Sequence, residues 1–209
     1  MYSPIFLFIG FVMILFSKSD RINNAGKVVL YFGILFFGLF TMENSVEPLK
    51  EQPEFMAWLR LADNPLKGSL IGAFVTLVIQ SSSATVGMAI ILLKKGFLSV
   101  GGGIAVMLGA DLGTCSDTLL ATIRGSRAAL RTGVFHLLFN LSCILIGLFL
   151  FRPFTEFVVY LSGSAPLHRV LANAHMLFNL LGVLVFFPFI PFCEKLMLKM
   201  LPDKKSLTT

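Results

Sequence analysis

Residues Gln80-Ser81-Ser82-Ser83-Ala84-Thr85 interrupt a tract, 68–93, that otherwise reads as apolar and carries no charged side chain. Four consecutive polar side chains, with Thr85 close behind, are costly inside a long apolar run. Three serines in a row also favour local side-chain-to-backbone hydrogen bonds over helix continuation. The flanking halves hold 12 and 8 residues, each too short to cross a bilayer alone. The pattern predicts a broken helix or hairpin whose tip lies at mid-membrane depth, where irregular backbone must be buried in protein or line a wet cavity. Such a break presents N–H groups to an anion, and hydroxyls and freed carbonyls to a cation. The alternative is that the serines merely satisfy one another between packed helices.

A second stretch, 97–123, contains Gly101-Gly102-Gly103 and then Gly109-Ala110-Asp111-Leu112-Gly113-Thr114-Cys115-Ser116-Asp117. A carboxylate at the bilayer centre costs about 2.5–3.5 kcal/mol even on insertion scales. Asp111 stands between two glycines expected to release the helix, with Thr114 three residues on. Carboxylate, hydroxyl and freed carbonyl oxygens suit a small cation such as Na⁺, and a proton on Asp111 is the other reading. Asp117 is a secondary candidate. So are Asn140 and Asn179, which sit in the only visible repeat: His136-Leu-Leu-Phe139-Asn140-Leu141 returns as His175-Met-Leu-Phe178-Asn179-Leu180. The bland expectation is that each Asn joins packed helices. The two histidines read as alone with their Asn neighbours. No nucleophile, base and orienting group occur together, so an enzyme is not expected.

The elements that must position these residues are membrane helices. Of 209 residues, 56% are apolar and 13% charged, and the mean hydropathy is +0.86; soluble domains carry about 25% charged residues. Runs 68–93, 132–151 and 170–193 lack charge and reach the roughly 20 residues needed to cross a hydrocarbon layer. Shorter runs at 1–17 and 28–42 predict two more crossings, and 97–123 another. The first run lacks a basic start and a small-residue cleavage pattern, so it reads as a retained helix. A polar segment at 43–67 predicts a surface connection with a short amphipathic piece around Phe55–Leu61. Pro153 and Pro166 predict a loop before the last helix. One membrane domain is expected over 1–209: leading helices and polar loop at 1–67, a site repeat at 68–123, and closing helices with a basic tail at 124–209.

The net charge of +6 does not imply nucleic acid, because the bases flank apolar runs instead of forming a stripe. Cys115, Cys143 and Cys193 show neither metal spacing nor a paired framework. If 68–93 is a re-entrant hairpin with the N-terminus outside, ten of the 17 Lys and Arg lie inside. They include Arg124, Arg127, Arg131, Lys204 and Lys205. A fully spanning 68–93, with the N-terminus inside, gives the same tally. Either way the 124–131 turn and the C-terminus are cytoplasmic, by a margin narrow enough to admit dual insertion.

QSSSAT followed by GFLSVGGGIAVMLGADLGT resembles the signature repeat of the type II sodium-phosphate cotransporters and their bacterial relatives. HLLFNL and HMLFNLLGVL resemble that family's closing helices, so the resemblance covers roughly residues 24–193. It implies an all-α integral membrane protein with about five spanning helices plus a re-entrant or broken pair, one half of an inverted-repeat fold. It implies Na⁺-coupled movement of inorganic phosphate, with no cofactor beyond the coupling ion. Gln80, Ser81, Ser82, Ser83 and Thr85, with Gly109, Asp111, Gly113 and Thr114, would form the substrate and ion site. Sodium would sit at Ser82, Ser83, Asp111 and Thr114. Two departures stand out. The family usually has Asn where this chain has Asp111, which opens the choice between Na⁺ and H⁺. The family fold also has two QSSS blocks, and this chain has one. A subunit is therefore expected to pair in the bilayer, bacterial inner membrane by resemblance, as a homodimer of opposed copies or with a second half-transporter chain. The alternative is a non-transporting assembly or regulatory subunit that retains the motif.

Overall fold

A computed structural model of the chain describes residues 2–123 and 125–203. Met1, Arg124, Lys204 and Lys205 of the runs and clusters above lie outside the described residues. The described residues are helical with no strand, and the chain divides into two compact units, Met1–Gln52 and Pro53–Thr209.

The first unit is a helical hairpin. Helix α1 (Ser3–Phe16) and helix α2 (Asp20–Val46) are joined by three residues, and a 3₁₀ turn, Glu47–Glu51, follows. Gly33 lies against Leu7, Gly10 against Leu30, and Gly26 against Met13 and Ile14, an antiparallel register in which small residues let the backbones approach. The rest of both helices exposes large apolar side chains such as Phe8, Phe11, Phe32 and Phe37, as a helix in lipid does.

The second unit opens with the amphipathic helix α3 (Pro53–Arg60), where the sequence predicts one, and a 3₁₀ turn, Leu61–Asp63. Asn64 then caps helix α4 (Pro65–Ile79), its side chain accepting from the Lys67 N–H at 3.1 Å. Helix α5 (Ser82–Lys94) ends at Gly96, whose φ of +76° closes the turn; Gly96 N–H bonds Leu93 and Phe97 N–H bonds Leu92. Helix α6 (Val100–Ile123) follows at once and is the buried axis of the unit, with Ile104, Ala105, Met107, Leu108 and Ala110 inaccessible. Helix α7 (Arg127–Phe149), helix α8 (Phe151–Ser162), helix α9 (Leu167–Phe186) and helix α10 (Ile190–Met200) complete it.

Among the described residues four segments are long and apolar enough to cross a membrane: Asp20–Glu51, Val100–Ile123, Arg127–Phe149 and Leu167–Met200. At 14 residues, α1 reaches only about 21 Å. One expectation fails in part, since only residues 163–166 form the loop before the last long helix. The loop predicted around Pro153 is helix α8, strongly amphipathic, with Pro153 in its first turn, where a missing N–H costs nothing.

Helices α4 and α6 set the geometry of the site. Gly68 packs on Ala105 and Gly113 packs on Thr76, so the two run parallel. Since only residues 95–99 link α5 to α6, α5 must return to the end at which α4 began. Residues 65–94 are therefore a re-entrant hairpin, not a broken crossing. Its halves of 15 and 13 residues reach about 22 and 20 Å, short of the ~30 Å hydrocarbon layer. Thr76 sits level with Gly113, about 20 Å along an α6 that is about 36 Å long. The hairpin tip thus lies within the thickness of the bundle.

Candidate functional site: a hairpin tip and a buried carboxylate

The break at the tip is short and sharply defined. Gln80 adopts the left-handed conformation, φ +58°, ψ +34°, and is the sole non-glycine residue with positive φ among the described residues. Its N–H still closes onto the Thr76 carbonyl at 2.6 Å. Ser81 is extended, and its hydroxyl accepts from the Ala84 N–H at 3.2 Å, which starts α5. Ser82 and Ser83 are already helical. The non-helical backbone expected over Ser81–Ser83 is instead Gln80 and Ser81, because a serine N-cap restarts the helix at once.

Two hydroxyls tie the halves together. Thr76 donates to Thr85 Oγ1 at 2.8 Å, and Thr85 donates to the Ser81 carbonyl at 3.1 Å. Both threonines are buried. Thr85 therefore supports the tip, and Thr76, which the sequence did not single out, is its partner. What remains at the tip is open: among the described residues the side chains of Gln80, Ser82 and Ser83 make no hydrogen bond. Gln80 and Ser83 are exposed and Ser82 half-buried. With them stand the first N–H groups of a 13-residue helix, which carry partial positive charge.

The stretch Gly109–Thr114 behaves differently from the expectation of a second break. Helix α6 runs through it unbroken. A Cβ on Gly109 would overlap the Ser69 carbonyl, one on Gly72 the Val106 carbonyl, and one on Gly113 would come within 2.7 Å of the Ala73 carbonyl. These glycines let α4 lie backbone to backbone on α6; they do not release the helix. Buried Ser69 seals the seam, donating to the Ala105 carbonyl at 2.9 Å. Thr114 donates to the Ala110 carbonyl one turn back at 3.2 Å, and Asp117 lies half-buried beside Ser116.

Asp111 falls two residues from each glycine, so at 100° per residue it projects from roughly the opposite side of α6 to the α4 seam. There it meets α9. His175 Nε2 stands 3.5 Å from Asp111 Oδ1, with the carboxylate side chain 10% and the imidazole 34% exposed. Oδ2 is buried with no hydrogen-bond partner among the described residues. The reading of both histidines as alone is thus corrected for His175. The available signal was the buried acid itself, which demands a partner, and a histidine in a neighbouring apolar run. No hydrogen bond joins Asp111 to Ser82 or Ser83 among the described residues.

The repeated His-x-x-Phe-Asn segments carry the same local feature. Asn140 donates to the His136 carbonyl at 3.1 Å, and Asn179 to the His175 carbonyl at 3.0 Å. Both amides bond a carbonyl of their own helix; Asn140 is buried and Asn179 exposed. Among the described residues no group of three or more His, Cys, Asp or Glu is placed to hold a metal ion.

A family profile described as Na⁺/Pi-cotransporter matches residues 1–44 and 49–165, well over half of the chain. The chain belongs to the Na⁺/Pi-cotransporter family. The family is one of phosphate transporters and not of enzymes. It needs no cofactor, and sodium is its coupling ion. The chain is a multi-pass, all-α membrane protein of this family. It is 28% identical over 95% of its length to the uncharacterized protein YqeW of Bacillus subtilis, covering 64% of that protein. It is 26% identical over 99% of its length to a protein of Escherichia coli named "Putative inorganic phosphate export protein YjbB", covering 38% of it. Over 52% of its length it is 28% identical to the human sodium-dependent phosphate transport protein 2B, covering 17% of that chain. The chain thus spans less than two thirds of these relatives. No solved structure matches it.

Proposed function

We propose that this chain carries inorganic phosphate across the membrane, driven by Na⁺, as a half-transporter that pairs with a second repeat. The observation that carries the reading is the re-entrant tip, where an N-terminal helix end stands with the side chains of exposed Gln80 and Ser83 and half-buried Ser82. Phosphate would be held by the N–H groups of Ser82 and Ser83 and by their hydroxyls, an anion on a helix N-terminus. Ser81 and Thr85 build that end, and Gly109 and Gly113 seat α4, the other half of the hairpin, against α6. Sodium would take oxygens from Ser82, Ser83, Thr114 and Asp111, with Asp117, Asn140 and Asn179 as outlying polar groups along the path. The relatives named for sodium-dependent phosphate transport and for phosphate export support the substrate and leave direction to measurement.

The hairpin supports pairing, because a single re-entrant hairpin supplies one side of an inverted-repeat site. The second side would come from another copy in opposite orientation or from a separate chain, in a bacterial inner membrane. The whole chain then acts as one membrane domain. The test is radiolabelled phosphate flux in proteoliposomes, with an outward or inward Na⁺ gradient imposed. Flux that follows the gradient, from a reconstituted pair, is expected. No flux with both orientations or a complementary repeat present would point instead to an assembly or regulatory subunit.

A further inference from the structure

Among the described residues Asp111 is the one buried acid, and its two oxygens have different fates. Oδ1 faces His175 Nε2 at 3.5 Å, while Oδ2 is buried without a partner. An orphaned carboxylate oxygen in such a place is expensive unless something positive or a donor meets it. We propose that His175 is a positioning residue for cation coupling, holding Asp111 by Oδ1 so that Oδ2 is left as an anionic ligand for Na⁺. The inference rests on the transporter reading and adds to it a residue on α9, apart from the α5 and α6 groups of the site.

The geometry suits this role. An imidazole whose Nε2 stands 3.5 Å from Oδ1 fixes the carboxylate's rotamer and leaves Oδ2 uncovered. Carboxylates that ligate ions are commonly held by such an outer hydrogen bond, and removing the holder typically lowers metal affinity about 10–100-fold. Nearby, Cys115 Sγ lies 3.5 Å from the Asp111 carbonyl, and the Thr114 hydroxyl donates to the Ala110 carbonyl while keeping its oxygen lone pairs for an ion. Asp111 Oδ2 adds the carboxylate ligand at this level of α6. Because His175 lies on α9 and Asp111 on α6, ion binding at Oδ2 would also report the spacing of these two helices.

Equilibrium binding of ²²Na⁺ to the purified full chain in detergent tests the inference without transport. His175→Leu, with His175→Met as an unbranched apolar alternative, should weaken Na⁺ binding about 10–100-fold. His175→Gln, which keeps an N–H donor, should recover most of it. Asp111→Asn should lose the site and make a further His175→Leu change silent. Unchanged binding in the apolar variants, or a wild type that binds no Na⁺ while still moving phosphate, would overturn the role of His175. Na⁺ binding that follows the expected pattern in a chain that moves no phosphate would uphold it and remove the transport reading.

Discussion

Thr76 and Thr85 bridge the two halves of the hairpin through a buried hydroxyl pair 2.8 Å apart, and everything exposed at the tip depends on that bridge. Thr76→Val keeps the shape and removes the donor, so thermal unfolding in detergent should show a loss of about 0.5–1.5 kcal/mol. Asp111→Asn makes a sharper prediction. It should retain phosphate uptake and change its dependence on Na⁺ or pH, because a full negative charge near a bound anion must be compensated. Uptake measured across Na⁺ concentration and pH checks it, and identical curves in mutant and wild type would remove Asp111 from coupling. At this scale the sequence displayed the consecutive polar groups and the buried acid. It did not display their partners. Thr76 is one hydroxyl in an apolar helix, and His175 is 64 residues away from Asp111; only the packing of α9 on α6 brings it there.

The parallel seam of α4 on α6 is what holds the hairpin at depth. Gly72, Gly109 and Gly113 leave room for backbone against backbone. Gly109→Ala would press a methyl onto the Ser69 carbonyl, and overpacking of this kind costs about 1–3 kcal/mol. Gly38, in α2, has nothing within 4 Å of an added methyl. Gly38→Ala should therefore be neutral or slightly stabilising, since Ala is the better helix former. The contrast between the two variants, read by thermal unfolding, checks whether the seam or helix propensity decides. The same glycines show why sequence alone misread this element. A glycine pair flanking an acid permits either a helix break or a close helix contact, and only the neighbouring backbone distinguishes them. Helix α8 was hidden for a related reason: Pro153 marks a loop or the first turn of a helix equally well.

Across the whole chain, the count of bases leaves two topologies level, and a hairpin at 65–94 that returns to the end it left fits the one expected with the N-terminus outside; in both, the 124–131 turn and the C-terminus are expected in the cytoplasm. A cysteine placed at Arg127 should resist an impermeant thiol reagent in intact cells. Equal labelling from both faces would indicate dual insertion, the arrangement an opposed homodimer needs. The long apolar crossings and the polar break were legible because charge-free runs and polar clusters are properties of composition, whereas the choice of a hairpin over a broken crossing came from the packing of α4 on α6. The division of the chain at Gln52 was not, because it depends on which helices pack. The central claim is that the serine-bearing helix end at the tip holds phosphate. The most direct measurement is radiolabelled phosphate flux in proteoliposomes under a fixed Na⁺ gradient, comparing wild type, Ser82→Ala and Ser142→Ala. Ser142 bonds the Leu138 carbonyl within α7 at 2.7 Å and serves as a membrane serine away from the tip. Ser82→Ala should lose most of the flux while Ser142→Ala retains it; equal flux in all three would contradict the account.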